Sequence, residues 1–69
     1  MQIEDIGKRF TYHQPKADQP PRYDAIRSRA MEYALLINNC CPDSREKSLA
    51  ITALEECVMW ANASIARNE

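Results

Sequence analysis

Cys41–Glu69, CPDSREKSLAITALEECVMWANASIARNE, is the longest stretch with continuous helical character, and the rest of the chain has to pack on it. Pro42 suits a first helical turn, where a missing N–H costs nothing, and Asp43 with Glu46 three residues on has the spacing of a capping box. No glycine or proline follows Pro42, so a helix of about 26 residues would be ~39 Å long at ~1.5 Å per residue. The second long helix is therefore expected over 42–67.

Immediately before it, NNCCPD is short enough to force a preceding helix antiparallel, which makes an α-hairpin. That first long helix is expected over 19–39: Asp18 is a good N-cap, Pro20 and Pro21 both fit a first turn, and Asn38 and Asn39 help to end it. Tyr23, Ile26, Ala30, Tyr33, Ala34 and Ile37 form one apolar stripe at three- and four-residue spacing, with Met31 and Leu35 outside it. In the second helix Leu54, Val58, Ala61 and Ile65 make a matching stripe, while Leu49, Ala53, Cys57 and Trp60 lie on another face. One partner helix covers only one of the two, so the second face predicts burial between subunits. The small residues Ala61, Ala63, Ser64 and Ala66 either admit a close neighbouring backbone or simply favour helix.

Upstream, Ile3 and Ile6 are spaced as one face of a short helix, and Gly7, the only glycine, is a plausible stop for it. KRFTYHQPKADQPP (8–21) then reads as extended chain, since Thr11 and Tyr12 favour strand geometry and Pro15 and Pro20 restrict the residues before them. Residues 1–18 thus form an N-terminal segment and strap. The whole is a single all-α helical-hairpin domain, 1–69.

At 69 residues, a domain buries too little surface to be comfortably stable alone and needs a staple or a partner. Three cysteines, Cys40, Cys41 and Cys57, form no paired framework and have no signal peptide before them, which argues for a cytoplasmic, reduced protein. Adjacent cysteines with the single His13 lack metal-chelating spacing, so no metal is expected. No apolar run reaches the ~20 residues that span a bilayer. Oligomerisation is left as the route to stability.

Net charge is −1, too little basic field to hold long nucleic acid. The distribution is uneven. Residues 1–30 carry Lys8, Arg9, Lys16, Arg22, Arg27 and Arg29 against Glu4, Asp5, Asp18 and Asp24, and the second half is net acidic, so an anion site would draw on the first half. One histidine, no phosphate-cradling glycine loop and no paired carboxylates argue against an enzyme or a cofactor. Glu55 and Glu56 diverge by ~100° on a helix and read as a solvated face.

Binding chemistry is better supplied. Phe10, Tyr12 and His13 stand among Lys8, Arg9 and Lys16, and aromatic faces interleaved with cations suit a base and its phosphate. The alternative, that Phe10 and Tyr12 fasten the strap to the hairpin, is equally compatible with the sequence. Arg22, Arg27 and Arg29 either meet a ligand or pair with Asp24 and Glu32, and Arg67 is favoured in a last helical turn by the helix dipole alone.

Two stretches together, FTYHQPKADQPPRYDAIR and the C-terminal block quoted above, resemble the small phage anti-CBASS proteins that act as cyclic-oligonucleotide sponges, a resemblance covering residues 10–69. It implies an α-hairpin protomer assembled as a homohexamer in the cytoplasm of the infected bacterial host. The implied partners are cyclic dinucleotides at subunit interfaces and, in some members, cyclic trinucleotides at a threefold-related site, bound and not cut. Carried onto this sequence, Tyr12 packs on a base of the cyclic dinucleotide, with Phe10, His13 and Lys16 around it, and Arg27 meets its phosphates, Arg29 being the alternative. The trinucleotide site falls to Arg67 with Ser28 or Arg29. A protein-interaction module that inhibits a host protein through the second apolar face is the competing expectation.

Overall fold

The computed structural model describes residues 2–69, which form three α-helices and no strand: α1 (Ile3–Phe10), α2 (Gln19–Cys40) and α3 (Arg45–Asn68). α2 and α3 lie antiparallel. At one end Lys47 Nζ donates to the Asn38 carbonyl (3.0 Å) and to Asp43 Oδ1 (3.0 Å), and at the other Arg22 Nη1 donates to Glu69 Oε2 (2.8 Å).

The seam is the pair of apolar stripes. Ile26, Ala30, Ala34 and Ile37 of α2 and Ile51, Leu54, Val58, Ala61 and Ile65 of α3 are each half-buried. Tyr33, expected on the stripe, sits at its margin and stays exposed, as do Leu49 and Trp60 on the other face of α3. No apolar side chain is fully buried among the described residues. The molecule measures 45 × 30 × 12 Å, and its thinnest dimension matches the ~10–12 Å diameter of a single helix. A plate one helix thick leaves no apolar interior among the described residues.

Two quantities express the same fact. Accessible surface is 5710 Å², about 1,300 Å² more than the ~4,400 Å² of a compact monomer of this mass. The radius of gyration is 15.2 Å, against ~11 Å for a compact chain of this length.

Three local expectations are corrected. Gly7 does not stop α1: it has no positive φ, and the helix continues through Lys8 and Arg9 to Phe10, so these three residues are helical rather than extended. Acids at Glu4 and Asp5 and bases at Lys8 and Arg9 complement the helix dipole, and Ile3, Ile6 and Phe10 complete one stripe. The dipole complement works against a glycine penalty of about 1 kcal/mol, while the stripe itself stays exposed in the protomer. The α3 cap also moves. Ser44, in extended conformation, is the N-cap, and its hydroxyl accepts from the Lys47 N–H (3.1 Å). Pro42 therefore lies in the turn, and Asp43 bonds the Lys47 ammonium instead of capping. Asp18 does precede α2, yet its backbone is already helical and its side chain makes no capping bond, having turned to Arg22 (3.4 Å).

Candidate functional site

α1 and the segment after it carry the first set of candidates. Phe10 and Tyr12 are 84% and 81% exposed, so neither ring fastens the strap to its own hairpin. Two large aromatic faces are left open, close in sequence to Lys8, Arg9 and Lys16, residue types suited to stacking flat bases and neutralising phosphate. His13 is half-buried, and its Nε2–H donates to the Lys8 carbonyl (2.9 Å), which fixes a ring proton on Nε2 and folds the strap back on α1.

Lys16 is held at both ends. Its N–H donates to Gln19 Oε1 (3.0 Å), and its ammonium bonds the Glu69 carbonyl. Glu69 is the hub of this corner: its carboxylate takes both guanidinium nitrogens of Arg22 and, at 3.2 Å, Nε2 of Gln19. The Arg22 hydrogen bonds, with a smaller contribution from Gln19, hold the Glu69 carboxyl at about 2, well below its ordinary 4.5. The same pairing raises Arg22. Gln19, 2% exposed, is the single buried residue among those described. Lys8 Nζ adds a bond to Asn68 Oδ1 (3.2 Å).

The first-helix arginines occupy local pairs. Arg27 Nη1 meets Asp24 Oδ1 at 3.4 Å and Arg29 Nη1 meets Glu32 Oε2 at 3.5 Å, with both guanidinium groups mostly in solvent. Exposed pairs of this kind are worth roughly 0–1 kcal/mol, so exchanging the carboxylate for a phosphate costs little. Ser28 is exposed between them. Arg67, half-buried in the last turn of α3, has no ion-pair partner among the described residues.

Lys16, the α2 start and the α3 end thus come together, whereas the two proposed ligand sets do not close within one protomer. No hydrogen bond joins Tyr12 to Arg27, which lies eight residues, ~12 Å along the axis, beyond Gln19. Arg67 is two residues from the Glu69 carboxylate that Arg22 grips, while Ser28 and Arg29 are six and seven residues, roughly 9–10 Å, farther along α2. Sequence reasoning missed the Gln19–Arg22–Glu69 cluster. Its members are 47 and 50 residues apart, and no local pattern announces such a contact.

On one face of the seam an open trough of about 430 Å³ is lined by Ala25, Ile26, Ala30, Leu54, Cys57 and Val58, with Arg29 and Tyr33 at its margin. Its lining is almost wholly apolar. The three cysteines are free and exposed, and no His, Cys, Asp and Glu cluster among the described residues has the makings of a metal site. Among the same residues no helix is long and apolar enough to cross a membrane.

The chain matches no curated protein and no solved structure. A family model does match it, the Acb2/Tad1 hairpin domain, over residues 2–66. That span takes in α1, the strap, α2 and nearly all of α3. The chain belongs to the Acb2/Tad1 hairpin family, the anti-CBASS family of cyclic-oligonucleotide-binding proteins.

Proposed function

We propose that the protein is a cyclic-oligonucleotide sponge: a homo-oligomer, six-membered by its family resemblance, that sequesters the messengers of CBASS immunity without cleaving them in the cytoplasm of an infected bacterium. The observation that carries this reading is the open Tyr12 ring, 81% exposed, with cations close to it in sequence and no apolar side chain buried among the described residues. Both deficits are met at once by enclosing a ligand between subunits. The surplus surface of about 1,300 Å² exceeds the ~800 Å² that each partner gives to a standard interface, which suits contact with more than one neighbour.

Tyr12 stacks on a base of a cyclic dinucleotide, with Phe10, His13 and Lys16 beside it. Arg27, or Arg29 in its place, supplies the guanidinium fork for a phosphate of the same ligand from another protomer. Arg67 with Ser28 or Arg29 forms the cyclic-trinucleotide site, three copies of one cation around an axis matching three phosphates. Among the described residues no side-chain hydrogen bond pairs a nucleophile with a base, which supports a ligand that is held and not turned over. Sequestration is stoichiometric: each ~1.4 kcal/mol of binding free energy lowers the free messenger's dissociation constant tenfold.

The decisive experiment is calorimetric titration with a panel of cyclic dinucleotides and trinucleotides, followed by heating the complex and testing the released ligand. Tight binding with intact release is expected, and its stoichiometry counts the sites per oligomer. A linear product would make the protein a nuclease. No binding would transfer the role to a module that blocks a host protein through the open apolar face.

A further inference from the structure

The strap presents the aromatic and basic groups of the proposed dinucleotide site, yet nothing apolar holds it in place. Phe10 and Tyr12 both point into solvent. The bonds that fix the strap and α1 to the hairpin are polar, and they converge on one corner. Lys16 N–H donates to Gln19 Oε1, Gln19 Nε2 donates to Glu69 Oε1, and Arg22 donates to both Glu69 oxygens. From α1, Lys8 reaches Asn68.

The order of these bonds matters. Gln19 is the single buried residue among those described, and its amide is orientated by what lies on either side: the NH₂ faces a carboxylate, which only accepts, and the oxygen faces a main-chain N–H, which only donates. Removing the Glu69 carboxylate leaves a buried amide N–H without an acceptor, and turning the amide to recover one costs the bond to Lys16. The Glu69 carboxylate therefore acts on the strap through the Gln19 amide, in addition to the Glu69 main-chain oxygen that bonds the Lys16 ammonium and the Gln19 N–H that donates to the Lys16 carbonyl (3.0 Å). Arg22, bonded to Asp18 Oδ2 as well (3.4 Å), holds the carboxylate in register with the first turn of α2.

We infer that Glu69, clamped by Arg22 and relayed by Gln19, is a positioning latch that sets the strap for cyclic-dinucleotide binding. The inference rests on the sponge reading for its ligand, and on the bonds alone for the latch. Glu69 does not touch the ligand; it lowers the ordering cost that binding would otherwise carry.

The test uses the full chain and 3′,3′-cyclic GMP–AMP as probe, with hydrogen exchange on the unliganded protein as a ligand-independent arm. Glu69→Ala is expected to speed amide exchange of residues 12–18 by about tenfold while the seam amides of α2 and α3 keep their protection. Affinity for the probe is expected to fall about fivefold, the equivalent of losing one ordered side chain's preorganisation. Glu69→Gln keeps a side-chain oxygen that accepts from Gln19 Nε2 and should recover most of both effects, whereas Glu69→Arg, which sets a donor against that N–H, should not. Unchanged strap exchange in Glu69→Ala overturns the latch. Should the wild type bind no cyclic oligonucleotide, the sponge reading fails, and the exchange arm still decides whether Glu69 orders the strap.

Discussion

The seam and the strap corner hold the chain together by opposite means. Between α2 and α3 the contact is apolar, made by Ile26, Ala30, Leu54 and Val58, and every one of these is only half covered. At the corner the contact is polar, made by Lys16, Gln19, Arg22 and Glu69, and it contains the single fully buried residue among those described. Apolar burial is non-directional and grows with area, so a two-helix seam gains from any further helix laid over it. A hydrogen-bonded corner is directional and gains nothing from added area. The first leaves apolar surface open in the protomer; the second is complete in one protomer and bears on where the strap stands.

Breaking the seam should have the largest effect. Val58→Asp places a carboxylate between two helices with no partner for it, at a cost of about 3 kcal/mol, enough to remove most of a small domain's stability. Far-UV circular dichroism should show no cooperative melting; an unchanged transition would mean that the seam is not what folds the hairpin. On the outer face of α3, Trp60→Asp is expected to cost about 2 kcal/mol of assembly, since buried tryptophans dominate interfaces. Light scattering should report a smaller particle, and in the wild type the melting temperature should rise with protein concentration. A concentration-independent wild-type transition would separate stability from assembly and undo that part of the comparison.

The two regions were unequally legible in the sequence. Stripes at three- and four-residue spacing locate the seam because helix geometry converts spacing directly into a face. Its surplus, carried by Leu49 and Trp60, is legible for the same reason. Caps are less certain by nature: Asp43 and Ser44 are both good N-cap types, and the extended backbone at Ser44 selects one over the other. Gly7 misleads because a stop signal and a tolerated interior glycine look identical in sequence. At the candidate site, the aromatics among cations were visible as a local cluster, and their exposure in the protomer fits a face awaiting a neighbour. Glu69 could not be paired with Arg22 or Gln19 from sequence, since no periodicity links residues 47 and 50 positions apart.

Smaller changes sharpen the same contrast. Ser44→Ala removes the hydroxyl that accepts the Lys47 N–H and should cost about 1 kcal/mol, read as a lower urea midpoint with an unchanged slope. Gly7→Ala works the other way. A Cβ there would meet nothing within 4 Å, so the substitution should favour α1 by about 0.5–1 kcal/mol. The readout is local: Cα chemical shifts of residues 3–10 should move toward helix while those of α2 and α3 stay fixed. A loss of helix there would mean that the glycine is needed for an approach by another chain.

The slightest global effect belongs to Glu69, whose ion pair with Arg22 is partly exposed, and its value is diagnostic. The Arg22 hydrogen bonds, and secondarily Gln19, hold the folded carboxyl at about 2, against 4.5 without these partners. Because the folded form binds a proton less readily than the unfolded one, the contribution is complete above about 4.5 and shrinks as pH falls from there toward about 2. Wild type should therefore lose stability in that window by a margin that Glu69→Gln, with no charge to titrate, does not show. The difference between the two proteins should also narrow with added salt, since exposed charges are screened over ~8–10 Å at ordinary ionic strength. A seam held by apolar contact has no such dependence. If the pH-dependent loss in wild type were matched by the variant, the acid sensitivity would lie in other carboxylates and the corner would owe its order to Gln19 alone.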